Sequence, residues 1–251
     1  MPSKKIASNK NTLLAVAPKA SFASVLTPAL SEFLSAKNIS EATKWDGYDF
    51  GIEASEQDED RALTDAAGAS TRGNENFGGS ISFYTPTPAD TSSIYRQTRN
   101  LVAVPHTELV LIQRDGYPAS TPFAPGQVVN VFHTITDARS EQRGDKNRYY
   151  SVDFKPKGFV GINRIIPSAT PTAVTVTGGT TVAAGASIQL KSVYEGNDIT
   201  IGATYVSSDE TKAIVTKHGI VIGIAAGSVD ITATYPGSAA GTTKAITVTA
   251  P

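Results

Sequence analysis

The sequence predicts a mainly β protein: an antiparallel β-barrel or β-sandwich with one or two short helices, followed by a second β-sandwich. The segment 149–167 alternates Tyr150, Val152 and Phe154 with polar residues, the period-two pattern of a strand with one buried face. After Pro167 the composition shifts to Gly, Ala, Thr and Val, and short apolar runs recur between glycine-containing turns. These observations predict two domains that meet at the end of this segment.

The segment 149–167 is expected to contain two strands joined by a bend at residues 155–158. Pro156 lacks a backbone N–H donor and Gly158 tolerates a positive φ, so both residues favour a bend or an edge position. The β pattern resumes after the bend and stops at Pro167. The second of these strands is therefore predicted to close the first domain.

Three parts of the chain are predicted from its 251 residues, a length that accommodates two modest domains, each with its own core. Residues 1–20 carry four lysines and no acidic residue, and we interpret them as a flexible basic N-terminal arm. Within the arm, the apolar run 13–17 imitates a secretion signal, but Pro18 ends it too early. Residues 21–167 are predicted to form the first β domain and residues 168–251 the second.

The first domain is predicted to contain about seven strands and one or two helices. Pro28, in the first turn, and an apolar face favour a helix over residues 27–43, which Asn38 is expected to interrupt. A second short helix, which ends near Arg99, is expected to be capped by Asp90. The expected strands are 48–52, 76–84, 102–104, 109–112 and 127–135, and a charged loop at 137–147 leads to the segment 149–167.

The second domain is predicted to be a β-sandwich of short strands. Glycine-containing turns such as Gly178-Gly179 and Pro236-Gly237 separate apolar runs at the regular spacing of an all-β domain. The expected strands are 173–177, 187–193, 203–207, 213–216, 219–224, 228–235 and 244–249.

Composition and charge argue against several classes of function. The formal net charge of −1 and the pI near 6.3 do not fit a protein that wraps nucleic acid tightly. The chain has no cysteine, which excludes disulfides and thiolate metal sites, and no apolar run approaches the ~18 residues of a membrane helix. His106, His133 and His218 lie in separate segments without a phosphate-binding loop, so we expect no enzyme and no cofactor.

The densest group of acidic residues, here called the acidic group, consists of Glu56, Asp58, Glu59 and Asp60 in the polar segment 53–72. A calcium-binding loop would place a glycine at a fixed position among such carboxylates, and this pattern is missing. Two interpretations stay open at this point: a solvated loop, and a surface of negative potential.

The second domain carries a family resemblance in the segments 182–190, 207–209, 213–215, 218–221 and 226–233. With these segments, residues 170–250 resemble the group 2 bacterial Ig-like domain. Tyr205 stands near the position where that family usually has a tryptophan, so an aromatic core residue is kept. Such domains occur on bacterial surface adhesins and as appendages of phage virion proteins, and the resemblance implies an Ig-like β-sandwich here.

The first domain carries a second family resemblance in the segments 51–55, 60–65, 72–84 and 154–158. With these segments, residues 20–167 look like the major tail proteins, or tail tube proteins, of long, non-contractile-tailed phages. A tube-like β domain followed by one Ig-like domain is a known arrangement in this family.

This resemblance implies a structural virion protein. Six copies would form a ring, and rings would stack head to tail into a tube through which double-stranded DNA passes without specific binding. The Ig-like domain would face outward, where it could contact host surface glycans. The tube would join other tail proteins, such as the tape measure and the tail terminator. The expected locations are the phage tail and, during assembly, the host cytoplasm, without membrane insertion.

Under this hypothesis the acidic group faces the lumen or lies between subunits. Residues 21–167 carry 14 basic and 18 acidic residues, a balance that suits a lining that repels phosphate. Between subunits, the acidic group would pair with Arg61, Arg139 or Arg143. The alternative function is a bacterial cell-surface binding or adhesion protein with an Ig-like module, which a secretion signal or an attachment sequence would favour; we expect neither.

Overall fold

The computed structural model describes residues 11–53, 57–58, 71–72, 76–144 and 146–250. The helices in these residues are α1 (Leu30–Ser35) and α2 (Ile94–Val102), with 3-10 turns at Lys19–Ser21 and Ser40–Ala42. The strands are β1 (Thr12–Pro18), β2 (Lys37–Asn38), β3 (Thr43–Glu53), β4 (Gln57–Asp58), β5 (Thr71–Arg72), β6 (Asn76–Tyr84), β7 (Glu108–Asp115), β8 (Val128–Thr136), β9 (Ser140–Arg143), β10 (Arg148–Ile165), β11 (Thr175–Gly178), β12 (Thr181–Ala183), β13 (Ser187–Tyr194), β14 (Asn197–Asp198), β15 (Thr204–Ser207), β16 (Ala213–Val215), β17 (Ile220–Gly223), β18 (Gly227–Thr234) and β19 (Thr242–Thr249).

The described residues are mainly β with two short α-helices, which confirms the predicted fold class. Its backbone divides into two compact units. The first unit comprises residues 1–25, 35–121 and 129–164, and the second comprises residues 26–34, 122–128 and 165–251.

The first unit is built on an eight-stranded sheet in the order β2-β1-β7-β8-β10-β6-β3, with β9 paired to β10. The pairs β2–β1, β1–β7, β7–β8, β10–β6, β6–β3 and β9–β10 are antiparallel. In the described part of the chain the sheet is open and does not close into a barrel. Its two edge strands are β2 and β3. Of the two predicted forms for this sheet, the closed barrel is therefore wrong.

β1 is an interior strand, and it overturns part of the predicted N-terminal arm. Its residues 13–17 are at most 3% exposed, and it pairs with β2 on one side and with β7 on the other. An apolar run without alternation suits a strand that is buried on both faces. The prediction of a flexible arm is therefore wrong for residues 12–18, and residues 1–10 lie outside the described part.

β10 is a single strand from Arg148 to Ile165, where two strands with a bend were expected. Its first part pairs with β6 from Tyr149 opposite Tyr84 to Phe154 opposite Gly79. In the sheet order, β8 and β6 flank the strand on its two sides. Pairing with its neighbours thus outweighs the local tendency of the Pro-Lys-Gly sequence to bend.

Both helices differ from their predicted bounds. α1 ends at Ser35 because the next residues, in β2, pair with β1. α2 is capped by Ser93, whose hydroxyl accepts the Arg96 backbone N–H at 3.3 Å. Asp90 instead accepts the Ser93 backbone N–H at 2.9 Å. α2 also takes up Val102, which was expected in a strand, and the charged loop 137–147 contains β9.

Aromatic side chains fill much of the core of the first unit. The ring of Phe50 lies edge-on to Phe77, Phe132 and Phe154 at centroid distances of 6.5, 5.0 and 6.0 Å. Each such pair adds ~0.5–1.5 kcal/mol beyond the burial of its area. These four residues come from β3, β6, β8 and β10, so the cluster holds these four strands together.

The second unit contains a two-sheet sandwich. One sheet has the order β11-β13-β17-β16 with β14 paired to β13, and the other has the order β12-β19-β18-β15. Leu190 and Val221 of the first sheet pack in one core with Ile231 and Ile246 of the second. All seven predicted strands are present with shifted ends, and the short β12 and β14 were missed. Tyr205 packs against this core, as predicted, and its hydroxyl donates to Ser192 Oγ at 2.8 Å.

Two earlier segments of the chain belong to this second unit. The Phe33 ring, from residues 26–34, lies 5.8 Å from the Phe123 ring, from residues 122–128. The Gly126 carbonyl accepts a hydrogen bond from the Asn197 side-chain amide at 2.8 Å. Local sequence patterns do not predict contacts of this kind between distant parts of the chain.

Candidate functional site

Of the acidic group, only the Asp58 backbone lies in the described part of the chain. Asp58 lies in β4, where its backbone pairs with Thr71 of β5, and its side chain is outside what the structure describes. Glu56, Glu59 and Asp60 lie outside the described residues altogether. Their place in the lumen or between subunits therefore stays a prediction. The described backbone does locate the end of the sheet from which this segment leaves, because Glu53 at the end of β3 lies opposite Asn76 at the start of β6.

The histidines do not form a catalytic arrangement in the described residues. His133 Nε2 lies 3.2 Å from Glu108 Oε2, and Lys157 Nζ lies 3.6 Å from the other oxygen of the same carboxylate. The ring of His133 thus has a polar partner, Glu108, on the neighbouring strand. Across the described ranges, no group of three His, Cys, Asp or Glu side chains is placed to hold a metal ion.

A cleft of ≈ 580 Å³ lies at the Tyr84 end of β6, and we call it the arginine cleft. It is formed by the chain that follows β6, by one side of α2 and by the β9–β10 hairpin. Its lining residues are Thr85, Pro86, Pro88, Arg96, Arg99, Glu141, Gln142, Arg143 and Arg148.

Two of the four arginines are held by contacts within the subunit. Arg96 donates to the Asp90 carbonyl at 2.8 Å and to the Thr87 carbonyl at 2.9 Å. Arg99 Nη2 donates to Glu141 Oε1 at 2.6 Å, and its guanidinium lies 5.1 Å from the centre of the Tyr150 ring. These contacts hold both side chains in place, so part of the cleft is rigid before any ligand arrives.

Glu141, the one carboxylate among the described residues that line the cleft, is already shared. Glu141 Oε1 accepts from Arg99 and also from Arg139 Nε at 3.0 Å. One negative charge between two guanidinium groups leaves a net positive charge at this position. Glu141 is therefore not free to neutralise the other arginines of the cleft.

Arg143 and Arg148 supply the exposed positive charge. They are directly opposite each other in the β9–β10 pair, and both are exposed. In the described portion of the chain, neither makes an ion pair with a carboxylate; Asp145, in the turn between them, lies outside that portion. Guanidinium groups bind carboxylates and phosphates through two parallel hydrogen bonds, so this arrangement can hold an anionic partner.

Sequence reasoning found only part of this site. The sequence indicates Arg139 and Arg143 as possible partners of the acidic group. No local pattern predicts that Arg96, Arg99 and Arg148 lie beside them. Residues 139–148 do carry a signal, because four basic residues accompany two acidic ones there. The cleft itself is brought together by the pairing of β10 with β6 and β9, which local sequence does not reveal.

The fold and this site define a mainly β protein with an arginine-lined cleft at the Tyr84 end of β6. A family model described as phage tail tube protein matches residues 1–169. The match covers more than half of the 251 residues, and the chain belongs to the phage tail tube protein family. No curated protein matches the sequence.

Membership in this family makes the chain a structural protein of the phage tail and a component of the virion, which assembles with itself into the tube. The resemblance of residues 20–167 to tail tube proteins is thereby confirmed. Neither α-helix in the described ranges has the length and apolar character of a membrane span.

Proposed function

We propose that six copies of the chain form a ring, and that rings stack head to tail into the tube of a long, non-contractile tail through which double-stranded DNA passes. The observation that carries this proposal is the family match over residues 1–169, which includes the strands β1 to β10 described above. The open sheet supports it, because β2 and β3 are end strands that a neighbouring subunit can extend. A head-to-tail contact does not close on itself and so builds a filament.

The second unit is proposed to be an Ig-like domain of group 2 that faces outward from the tube. Support comes from its two-sheet sandwich and from the residue pattern between Val182 and Ala233. A folded sandwich of this size would obstruct a narrow channel, which supports an outer position. There it could contact host surface glycans.

The tube would also contact other tail proteins, among them the tape measure inside it and the terminator at its end. Assembly would take place in the host cytoplasm. DNA would slide without specific binding, because each phosphate held by a basic side chain adds affinity through counterion release and slows the passage. The acidic group suits this role if it faces the lumen, and suits assembly if it lies between subunits.

Electron microscopy of the purified full-length chain tests the proposal. Rings or tubes with sixfold symmetry are expected at physiological salt. A matched chain that ends at Pro167 is expected to form thinner tubes, since it lacks the outer unit. A full-length chain that stays monomeric at every concentration and ionic strength would contradict the proposal. Tubes from the full-length chain but not from the folded truncated one would show that the second unit is needed for assembly.

A further inference from the structure

We infer that the arginine cleft binds a short acidic segment of a protein other than this chain. Such a segment presents two or more neighbouring carboxylates, as an extended peptide rich in aspartate or glutamate does. This binding goes beyond the proposed function and does not depend on it, because all the residues that line the cleft belong to the first unit of one subunit.

The β9–β10 hairpin, at one side of the cleft, carries a surplus of positive charge. Residues 139–148 contain four of the 14 basic residues of the segment 21–167, but only two of its 18 acidic residues, with Asp145 included. Glu141, one of these two, already accepts from both Arg99 and Arg139. The hairpin is thus a basic region on a domain that is acidic on balance, and it attracts an anionic partner.

The two exposed arginines of this hairpin are placed to act together. Arg143 and Arg148 are direct partners across β9–β10, so their side chains leave the same face of the hairpin. A planar guanidinium matches a planar carboxylate through two parallel hydrogen bonds. Two neighbouring carboxylates of one peptide therefore fit this pair of arginines, whereas a single carboxylate would satisfy only part of it.

Thr85 adds an unpaired hydroxyl to the lining of the cleft. Its Oγ1 atom is buried, and in the described part of the chain it has no hydrogen-bond partner. The Thr85 backbone N–H donates to the Arg148 carbonyl at 2.9 Å, so Thr85 lies beside one of the exposed arginines. Rotation about one bond lets this hydroxyl donate to an oxygen of a bound peptide, which removes the cost of leaving it unpaired.

An acidic protein segment fits the cleft better than a DNA duplex does. The volume of ≈ 580 Å³ lies in the ~300–1,000 Å³ range of ligand sites, which admits a few side chains. A duplex would have to lie across the surrounding surface, where the acidic balance of the domain repels its phosphates. Gln142, which also lines the cleft, offers an acceptor oxygen to which a peptide N–H can donate and a phosphodiester cannot.

The described surface of a second copy offers a poorer match. Across the described ranges, no three His, Cys, Asp or Glu side chains lie close enough together to hold one ion. Some of the exposed carboxylates are also already paired, since Asp46 contacts Lys44 and Glu108 contacts Lys157. A separate protein with adjacent acidic residues therefore matches the cleft better than the described residues of this chain do.

Titration of the full-length chain with a tetraglutamate peptide, acetylated and amidated at its ends, tests the inference. The unchanged chain is expected to bind one peptide per subunit, at least tenfold more tightly than it binds the equivalent tetraglutamine peptide. Arg143→Gln with Arg148→Gln should lower the affinity for tetraglutamate at least tenfold. Lys217→Gln with Lys244→Gln removes the same charge from the second unit and should leave this affinity unchanged. Circular dichroism checks that each variant is folded.

Thr85→Val isolates the hydroxyl, because it replaces the hydroxyl by a methyl group of similar size. The affinity for tetraglutamate should fall about threefold, while the urea midpoint of the subunit stays the same or rises, since a buried hydroxyl without a partner does not stabilise the fold. Thr87→Val is the matched control, because Thr87 is exposed and does not line the cleft. A lower urea midpoint with unchanged affinity would show that the Thr85 hydroxyl serves the fold, and would remove it from the site.

Three results would overturn the inference. Affinity for tetraglutamate that Arg143→Gln with Arg148→Gln leaves unchanged would place the peptide elsewhere. A short DNA duplex that binds the unchanged chain more tightly than tetraglutamate, and loses this advantage in the same variant, would show that the cleft takes phosphates. The variant should also form tubes as the unchanged chain does, and loss of its tubes would show that a second copy fills the cleft. Tube formation by the unchanged chain tests the proposed function separately.

Discussion

Arg143 and Arg148 lie directly opposite each other in the antiparallel β9–β10 pair, at the rim of the arginine cleft. Two like charges at directly opposed positions destabilise a β-hairpin. The free subunit therefore carries a local repulsion that an anionic partner would relieve. A single substitution in this hairpin should therefore raise the stability of the free subunit and weaken its binding of an acidic peptide.

Arg143→Glu should make the free subunit more stable and its binding of an acidic peptide weaker. In the subunit, the new carboxylate lies opposite Arg148, and an opposite-charge cross-strand pair contributes ~0.2–1 kcal/mol. Urea unfolding of the free subunit measures this gain. Gln142→Glu is the control, because it adds the same carboxylate to the hairpin opposite Tyr149 instead of an arginine. A lower free energy of unfolding for Arg143→Glu would mean that the two arginines do not repel each other in the subunit.

Deletion of residues 1–20 should abolish folding of the first unit. It removes β1, which leaves the backbone groups of β2 and β7 on that side without partners and opens the core around Leu14 and Val16. Leu14→Ala is the milder test and should cost ~2–5 kcal/mol in the free energy of unfolding. Deletion of residues 1–10 alone keeps β1 and serves as the control. The second unit keeps its own core and can still unfold cooperatively. A further cooperative transition, from the first unit of the chain without residues 1–20, would contradict the interior role of β1.

The sequence was most informative where the pattern was local. Alternation and turns located the strands of the second unit and β6, and these predictions needed only the side-chain period of a strand. The apolar run 13–17 was misassigned because a strand buried on both faces has no alternation to detect. The arginine cleft was missed because Arg96 and Arg148 are far apart in sequence and are brought together by strand pairing. Sheet order depends on such distant pairing, which a single sequence does not display.

Gly126→Ala should destabilise the second unit more than Gly196→Ala does. Both glycines have nearly the same positive φ, 80° and 78°, so both substitutions carry a similar backbone strain of ~1 kcal/mol or more. Only at Gly126 would the added Cβ lie 2.8 Å from the Glu195 carbonyl oxygen; at Gly196 nothing lies within 4 Å. The difference between the two free energies of unfolding thus measures the contact of residues 122–128 with the rest of the second unit. Equal values would argue that this contact is loose in solution.

Tyr194 should make the second unit sensitive to alkaline pH. Burial raises the pKa of its hydroxyl to about 12, and the hydroxyl donates to the Gly237 carbonyl at 2.8 Å. The unfolded chain releases this proton near the ordinary pKa of about 10. The stability that Tyr194 contributes is therefore complete below pH ~10 and is lost as the pH rises toward ~12.

Tyr194→Phe is the variant that isolates this effect. It should cost ~1 kcal/mol at neutral pH through the lost hydrogen bond. Between pH 10 and 12, its free energy of unfolding should fall less steeply than that of the unchanged chain, because one titrating group is gone. Urea midpoints at several pH values measure both slopes. Parallel slopes would show that Tyr194 titrates alike in the folded and unfolded chains.

The fluorescence of Trp45 should report assembly, because Trp45 is the single tryptophan of the chain. It belongs to β3, an edge strand of the sheet. It is 66% exposed in the subunit, and the register of β3 against β6 shifts between Thr43 and Tyr48, beside it. Tryptophan is enriched in the cores of protein interfaces, where its large ring is removed from water. If a neighbouring subunit extends the sheet at β3, the emission of Trp45 should shift to shorter wavelength in tubes, and acrylamide should quench it less than in the subunit. Tubes disassembled and returned to subunits serve as the control, because the shift should reverse. Emission that stays the same in well-formed tubes would place Trp45 in solvent and move the contact between neighbours to another edge of the sheet.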